Sequence, residues 1–283
     1  MSELWNDLVT CLTLSPGGSD TAVEGRNLSL PYHRVFGGQV LGQVVRAAGT
    51  AVSDKAIKSV HVVFVREGRT DEPIRYRVHR HHAGRSFATV SVVAEQSGGV
   101  VATASVSLHA EEHGPHRQTV DPVPALLSAE HKVQWNLLPW ETRATVDLDD
   151  LGSAPPEFEF WMRTPDVAPD LAPALLAYAT DLTLIGTALL PLEGYAQTGN
   201  GTAFVSAVTS HTLWFHRPFR TDDWLLLRQH SPLLAHARAF GRGDVLTEDG
   251  TLVASYAQEA MVRIPEQGSR AQRSGGTSAA AAR

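Results

Sequence analysis

The alternation of apolar and polar residues predicts two similar runs of strands along this chain, each preceded by a helix. In the first run, strands with one apolar face are predicted at about 58–66, 73–82, 86–96 and 99–110. The preceding helix follows Gly37-Gly38, and its apolar residues recur at spacings near 3.6: Val40, Leu41, Val44, Val45, Ala48 and Val52. A further amphipathic helix is predicted between Met1 and Leu14.

The same order of elements returns in the second half of the chain. A helix is predicted from about Asp170, and its apolar face includes Leu171, Leu175, Tyr178, Leu182, Ile185 and Leu189. Strands are then predicted at about 203–217, 222–230, 235–247 and 251–264. One helix followed by an antiparallel run of strands, twice over, predicts an α+β fold in which each helix packs on its own sheet.

Short motifs repeat between the two halves, which indicates a duplication. Phe64 and Arg66 match Phe215 and Arg217, roughly 150 residues later, and this period is too long for a solenoid. We therefore expect four parts: a first repeat at 1–115, a linker at 116–155, a second repeat with the catalytic residues at 156–265 and a disordered tail at 266–283. The proline-rich linker has no sustained period and is expected to wrap the surface.

Composition narrows the classes of partner and the cellular location. The formal net charge of −6 argues against nucleic acid, since duplex binding needs a clustered excess of Lys and Arg. The single Cys11 cannot form an internal disulfide, which suits a reducing compartment. The N-terminus does not resemble a signal peptide, and no uninterrupted apolar run approaches membrane-spanning length. We expect a cytoplasmic protein with no membrane partner.

Two polar residues are predicted to lie on apolar faces of the second repeat. Asp181 falls mid-helix on the core-facing stripe, where a carboxylate must be hydrogen-bonded or have a raised pKa. Gln258 lies on the apolar face of the last strand, and its matching position in the first repeat falls near Val106. A helix cap or a core amide bonded to the backbone would explain either residue alone. Their presence together favours a functional site.

The strand before Trp214 supplies candidate hydroxyl groups. By the two-residue period, Ser206, Val208 and Ser210 face one way. Thr209 faces the other way, together with the histidine that follows Ser210. Hydroxyl residues are ordinary strand formers, so this segment alone is a weak signal.

Four spaced segments resemble the type II acyl-CoA thioesterases, the TesB-like family. In chain order they are Val35-Phe36-Gly37-Gly38-Gln39-Val40-Leu41-Gly42-Gln43, Tyr178-Ala179-Thr180-Asp181-Leu182, Leu213-Trp214-Phe215-His216-Arg217-Pro218-Phe219 and Val253-Ala254-Ser255-Tyr256-Ala257-Gln258-Glu259. The resemblance covers residues 30–110 and 158–264, approximately. It implies a double hotdog, in which two tandem repeats each wrap an antiparallel sheet around a helix. It also implies an acyl-CoA substrate and the hydrolysis of its thioester to a free acid and CoA.

The resemblance further implies how the reaction proceeds. In this family an Asp, a Thr or Ser and a Gln hold the water that attacks the thioester. The Asp matches Asp181 as general base, and the Gln matches Gln258, which would orient the water. The turn at Gly37 and Gly38 is a candidate main-chain donor to the oxyanion. No metal or redox cofactor is implied, because a carboxylate suffices to activate water.

The chain departs from the family at the hydroxyl. Alignment on His211 places Val208 where the family has Thr or Ser, and Ser210 where it usually has Asp or Asn. Losing one neutral hydrogen bond to the water would slow the reaction about 10- to 30-fold. Ser210 is a candidate replacement, displaced by about 6–7 Å along the strand. Thr209 is another, although the two-residue period turns it to the opposite face.

Two further residues and the assembly state are expected from the resemblance and from the sheet. His61 matches a histidine of the family's first repeat and is either a substrate contact or a hydrogen-bonded strand histidine between the repeats. Arg217, like Arg66, either meets the CoA phosphates or is a solvated arginine at a strand end. Because exposed strand edges commonly pair, a homo-oligomer is expected.

Two alternative functions remain open at this point. The loss of a hydroxyl at Val208 is also what an acyl-CoA-binding protein with a weakened catalytic site would show. A hydratase acting on enoyl-CoA usually pairs an Asp with a His five residues later, but position 186 is Gly. The retained Asp181 and Gln258 favour the hydrolase.

Overall fold

The first repeat consists of a helix and an antiparallel set of strands. The computed structural model describes residues 3–19, 21–30 and 32–265, so the tail predicted at 266–283 lies outside the described residues. The repeat opens with α1 (Glu3–Cys11), β1 (Ser15–Ser19) and β2 (Ala22–Gly25). It continues with α2 (Gly37–Ala51), β3 (Ala56–Phe64), β4 (Ile74–Ala83), β5 (Phe87–Gln96) and β6 (Gly99–His109). The helix and the four long strands match those predicted from periodicity.

The second repeat has the same core with a divided helix. Three strands come first: β7 (Lys132–Val133), β8 (Glu141–Ala144) and β9 (Glu157–Arg163). They are followed by α3 (Ala172–Thr180), α4 (Leu184–Leu189), β10 (Val205–Phe215), β11 (Leu225–Ala235), β12 (Arg238–Thr247) and β13 (Leu252–Arg263). The pattern did not predict β9, because its three consecutive buried residues Phe160, Trp161 and Met162 break the two-residue period.

The described strands form one sheet whose middle joins the two repeats. The order is β1-β2-β4-β5-β6-β3-β10-β13-β12-β11-β9-β8-β7. The junction is the antiparallel pair of β3 and β10, in which His61 lies opposite Thr212, 151 residues further on. The repeat offset relates Ser59 to Ser210 and Val63 to Trp214. The pairs Val63–Ser210 and Ser59–Trp214, on either side of the junction, are therefore equivalent to each other. A pseudo-two-fold axis therefore passes through the His61–Thr212 pair.

The helices pack against each other on the inner side of this sheet. Arg46 near the end of α2 pairs with Asp170 just before α3, at 2.9 Å. At the other end, Gly38 in the first turn of α2 lies against the carbonyl oxygen of Tyr178. The two helices are therefore antiparallel, and the end of α3 meets the beginning of α2. This contact between repeats positions the candidate site.

The segment between the repeats contributes to the core as well as to the surface. Leu138, Ala144 and Leu148 are buried in the same hydrophobic cluster as α2 and α3. The expectation of a linker that wraps the surface is thus incomplete, because part of it packs into the core with the two helices.

The helical segment Pro169–Leu189 would be long and apolar enough to cross a membrane, judged by length and composition alone. In the structure, 83% of its most apolar window is buried inside the protein. Its apolar character is accounted for by its place in the core.

Candidate active site

Asp181 lies at the break between α3 and α4 and not within a continuous helix as predicted. It is the C-cap residue of α3, with φ −77° and ψ −28°, and only 4% of it is exposed. Thr183 lies at the start of α4, and its hydroxyl donates to Gln229 Oε1 at 3.1 Å, on a strand outside the helices.

The carboxylate of Asp181 rests against the first turn of α2 from the other repeat. A Cβ atom at Gly37 would lie 2.8 Å from Asp181 Oδ2, so a side chain there would displace the carboxylate. A Cβ atom at Gly38 would lie 2.5 Å from the Tyr178 carbonyl oxygen. The two glycines thus allow the close approach of the helices. An anion in this position also benefits from the N-terminal end of α2.

The ionisation of Asp181 is set mainly by burial. Burial raises the pKa of Asp181 from its ordinary 3.8 to about 7. The Gly38 backbone hydrogen bond and the Arg34 guanidinium act in the opposite direction. Gly38 therefore serves the carboxylate, a role different from the predicted one of donor to an oxyanion. A carboxylate with a pKa near neutrality suits a general base at physiological pH.

Asp181 forms part of the wall of a cavity of about 590 Å³ at the meeting of the two repeats. Its apolar wall includes Val40, Phe64, Leu137, Leu182 and Ile185. Its volume lies within the range of small-molecule sites. Asp181 Oδ1 has no hydrogen-bond partner among the described residues. The cavity thus combines an apolar wall with one buried carboxylate oxygen that is free to bind.

A β-bulge in β10 corrects the predicted direction of Thr209. Val208 lies opposite Ala260, and Ser210 lies opposite Glu259, so Thr209 is an extra residue in its strand. Both Val208 and Thr209 line the cavity beside Asp181. The strict two-residue period had turned Thr209 away. The Thr209 hydroxyl donates to the Glu259 carbonyl at 3.0 Å, which leaves its oxygen able to accept a hydrogen bond.

Gln258 is buried beside a histidine that connects it to the neighbourhood of Asp181. Gln258 is 2% exposed, and its Oε1 lies 2.9 Å from His211 Nδ1. His211 Nε2 lies 3.1 Å from the hydroxyl of Thr180, the residue directly before Asp181. Gln258 Nε2 has no partner among the described residues, and Gln258 does not line the cavity. Two hydrogen bonds therefore link Gln258 to the chain segment that carries the carboxylate.

Three further predicted residues lie away from the cavity wall. Ser210 is on β10 beyond the bulge and does not line the cavity. His61 is exposed, and its Nδ1 lies 2.7 Å from the Thr212 hydroxyl, as in the structural interpretation of a histidine between the repeats. Arg217 donates to the carbonyl of Leu252 and does not line the cavity. The structure thus does not bring these three together with Asp181.

Arg34 is a residue of the site that the sequence did not reveal. It lines the cavity, pairs with Glu67, and donates to the Ser206 carbonyl oxygen at 2.8 Å. It therefore ties the segment before α2 to β10 of the other repeat, and its charge acts on Asp181. It lies in an irregular segment without periodicity. The only signal is a cation placed shortly before an apolar helix.

Gly186 is the position where a hydratase of this fold would carry histidine. A Cβ atom there would lie 2.4 Å from Gln197 Oε1. Gln197 itself lines the cavity. Gly186 supplies no imidazole, and the end of the Gln197 side chain lies where a side chain at position 186 would begin, which argues against the hydratase.

Family comparisons agree with this arrangement. The model described as the acyl-CoA thioesterase N-terminal domain matches residues 29–109, and the model of the C-terminal domain matches residues 110–262. Human acyl-coenzyme A thioesterase 8 is 30% identical over 292 residues, which cover 92% of this chain and 90% of that protein. Acyl-CoA thioesterase 2 of Haemophilus influenzae is 30% identical over 291 residues, with 94% and 100% covered.

Solved structures share the fold. The acyl-CoA thioesterase II TesB2 from Mycobacterium marinum has a TM-score of 0.77 at 30% identity, with 92% of this chain and 99% of that chain covered. A tesB protein of Mycobacterium avium subsp. paratuberculosis has a TM-score of 0.78 at 25% identity, with 93% and 100% covered. A protein with a hot dog fold from Alicyclobacillus acidocaldarius, at 17% identity and a TM-score of 0.77, adds support for the fold alone, with 92% and 98% covered. The predicted α+β double hotdog is thereby confirmed.

Proposed function

The chain belongs to the acyl-CoA thioesterase family, and from this we propose that it hydrolyses acyl-CoA thioesters to a free acid and CoA, with Asp181 as general base. One observation carries the residue assignment. Asp181 is a buried carboxylate, its Oδ1 lacks a partner among the described residues, and it lies in the wall of an apolar cavity between the repeats.

The reaction needs one proton transfer and one leaving group. Asp181 takes a proton from a water molecule while the water oxygen attacks the thioester carbonyl carbon. The carbonyl oxygen becomes an oxyanion, which then collapses and breaks the carbon–sulfur bond. The CoA thiolate leaves with little acid assistance, since a thiol has a pKa of about 8.5. The protonated Asp181 afterwards releases its proton to solvent or to the thiolate.

The hydroxyl that helps to place the water is Thr209 in this proposal. Val208 occupies the position that matches the family hydroxyl, but it carries no oxygen. Thr209 lines the same cavity because of the bulge, and its hydroxyl proton is already donated to the backbone carbonyl of Glu259. Its oxygen is therefore available as an acceptor for the water. In this proposal Thr209 compensates for most of the about 10- to 30-fold loss expected from the missing hydroxyl at position 208.

The cavity offers separate surroundings for the two parts of the substrate. Its apolar wall suits an acyl chain. Arg34 and Arg66 also line the cavity, and their positive charges favour the phosphates of CoA beside them. In this arrangement the thioester lies between the apolar wall and the arginines, beside Asp181.

We propose further that the protein is cytoplasmic, acts as a homo-oligomer and has neither a membrane nor a nucleic acid as partner. The single, buried Cys11 suits a reducing compartment such as the cytoplasm. The net charge of −6 argues against a nucleic acid partner. The terminal strands β1 and β7 of the described sheet each have one edge without a neighbouring strand, which supports assembly through edges. Sedimentation velocity on the purified protein measures the oligomeric state directly.

The hydrolase is tested by measuring thiol release from a panel of acyl-CoAs, from short to long chains. The wild-type protein is expected to turn over at least one of them, and Asp181→Asn to lose that turnover. Asp149→Asn is a matched control, since Asp149 also lines the cavity and Asn keeps the Oδ1 acceptor for the Thr198 backbone N–H. Absence of turnover on every chain length, with measurable binding of acyl-CoA, would support the binding protein instead.

A further inference from the structure

The attack on a thioester creates an oxyanion, and the turn at Gly37 and Gly38 is already occupied by another anion. The backbone hydrogen bond of Gly38 serves Asp181. A Cβ atom at Gly37 would lie 2.8 Å from Asp181 Oδ2 and 3.1 Å from Oδ1, so the carboxylate covers this turn. An oxyanion is held by preorganised donors in a site that excludes water. Its donor must therefore come from another part of the cavity wall.

Strand β10 offers main-chain donors, because one of its edges lacks a neighbour among the described strands beside the cavity. The pairing of β10 with β3 ends at Ser210 and Val63, whereas β13 accompanies β10 to its first residue. Beyond that end, side chains meet the edge that faces away from β13. The Ser206 N–H donates to Asn200 Oδ1 at 2.9 Å, and the Ser206 carbonyl accepts from Arg34 at 2.8 Å.

The main-chain groups of Val208 point to this same edge. In an antiparallel sheet, the N–H and C=O groups of successive residues point to alternate edges of their strand, so those of Val208 follow those of Ser206. Val208 is in register with β13, opposite Ala260, and the bulge comes only after it. The Val208 N–H is therefore directed away from β13, to the edge where β3 has ended. Val208 also lines the cavity.

We propose that the backbone N–H of Val208 stabilises the oxyanion, so that the main chain at this position is catalytic although the side chain carries no hydroxyl. This inference rests on the proposed hydrolysis. The water oxygen attacks the carbonyl carbon, and the π electron pair moves onto the carbonyl oxygen, which accepts the Val208 N–H. When that pair returns, the carbon–sulfur bond breaks and its electrons leave with the thiolate. Thr209 holds the water and Val208 holds the oxyanion, so adjacent residues of one strand place both oxygens.

Hydrogen bonds on both sides of Val208 fix the direction of its N–H. Ser206 is held through its N–H by Asn200 and through its carbonyl by Arg34. The Arg34 side chain is only 15% exposed and is paired with Glu67. After Val208, the Thr209 hydroxyl donates to a β13 carbonyl at 3.0 Å. A donor fixed in this way stabilises the oxyanion without the cost of reorganisation.

The first repeat supplies a matched position without a catalytic carboxylate. Ile57 directly precedes the bulge of β3, as Val208 precedes that of β10, and the two residues differ by the repeat offset of 151. The pairing of β3 with β10 ends at Ser59 on that side, so Ile57 also lies beyond the paired segment. Ile57 does not line the cavity. It therefore shares the backbone geometry of Val208 but has no place in the reaction.

Replacement of one backbone N–H by an ester oxygen tests the proposal. The α-hydroxy analogue of valine is placed at position 208 of the full-length protein by nonsense suppression, and that of isoleucine at position 57. The ester at 208 is expected to lower kcat about 100-fold with KM little changed, because one oxyanion donor is lost. The ester at 57 is expected to leave kcat little changed. An unchanged kcat at 208, or equal losses in the two variants, would overturn the proposal.

The wild-type protein separates this inference from the hydrolysis on which it rests. A wild-type protein that turns over no acyl-CoA would refute the hydrolysis and the role of Val208 together. Turnover that survives the ester at 208 would refute the role of Val208 alone.

Binding of two analogues gives a readout that does not depend on turnover. A trifluoromethyl ketone analogue of the acyl-CoA forms a hydrate that resembles the tetrahedral intermediate, whereas an S-alkyl-CoA thioether has no carbonyl oxygen. In isothermal titration calorimetry, the ester at 208 should weaken binding of the ketone at least about tenfold and leave the Kd of the thioether unchanged. Equal weakening of both analogues would overturn the proposal, since it would indicate a distorted cavity.

Discussion

Replacing Asp181 by Asn should stabilise the protein while it removes activity, and the gain should grow with pH. The pKa of Asp181 is about 7 in the folded protein, above the ordinary value of 3.8. The folded state therefore holds this proton more tightly than the unfolded chain. The part of the folding stability that comes from this tighter proton binding is fully present below about pH 4, and it is lost as the pH rises through 7.

The magnitude follows from the size of the shift. At 1.36 kcal/mol per pKa unit, a shift of about three units costs about 4 kcal/mol once Asp181 is fully ionised. At pH 5.5 the unfolded chain is largely ionised at this residue and the folded protein is not, and the cost is about 2 kcal/mol. Asn carries no charge, so Asp181→Asn avoids both costs. The variant should gain about 2 kcal/mol more at pH 8 than at pH 5.5.

Thermal unfolding at the two pH values measures this difference. For a chain of this size, 2 kcal/mol corresponds to a change in Tm of about 4 °C. The comparison between pH values cancels any constant effect of the new amide. Glu248→Gln, at an exposed position between β12 and β13, should show no such pH-dependent gain. A difference in Tm between Asp181→Asn and wild type that stays the same at both pH values would refute the assignment of a buried, raised-pKa carboxylate.

Three further predictions concern the same site. In steady-state assays, kcat/KM should rise about tenfold per pH unit below 7 and level off above it, because only ionised Asp181 accepts a proton; a flat profile from pH 5.5 to 8 would exclude this base. Thr209→Val should lower kcat about tenfold, whereas Val208→Thr should change it less than about threefold; the reverse pattern would assign the hydroxyl function to position 208. Gly38→Ala should cost about 1–3 kcal/mol in chemical denaturation, since its Cβ would lie 2.5 Å from the Tyr178 carbonyl. Gly49→Ala on the same helix, with open space around it, should instead stabilise by about 0.5–1 kcal/mol.

Periodicity predicted the main elements well because their buried faces follow simple spacings. The stripe from Val40 to Val52 identifies α2, and alternation identifies the four long strands of each repeat. Asp181 and Gln258 stood out for the same reason, as polar residues on apolar faces. Both are buried in the structure, beside the cavity or linked to its wall.

The features that periodicity missed depend on single residues or on distant packing. A bulge residue such as Thr209 cannot be found from a two-residue period. That period assigns each residue to a face of the sheet only if the strand contains no extra residue. Beside the break after Asp181, the Thr183 hydroxyl bonds to Gln229, on a strand that comes later in the chain. Arg34 gains its place from the Ser206 carbonyl, 172 residues away. Contacts of this kind exist only once the repeats have packed together.

The bulge illustrates how duplication separates the requirements of the fold from those of the site. In the first repeat, the register of β3 and β6 shifts between Ile57 and Ser59, so Lys58 is the extra residue there. Lys58 and Thr209 differ by the same offset as His61 and Thr212, so the irregularity belongs to the fold and was present in both copies. Only in the second repeat does the bulge residue, Thr209, carry a hydroxyl, beside the buried carboxylate of Asp181.

The division of labour between the repeats explains why one carboxylate can be kept at a high energetic cost. The first repeat supplies the glycine pair that admits Asp181 and the helix end that favours its charge, and it retains the apolar Val60–Val106 pair in its own core. The second repeat carries the buried groups of the site, Asp181, His211 and Gln258. Because the buried carboxylate falls on one half only, the buried polar side chains Gln39 and Gln43 of the first repeat are neutral amides, and that half supports the joint sheet without a buried charge of this kind among them. A site built symmetrically into both halves would double the number of buried charges without improving the geometry around either one.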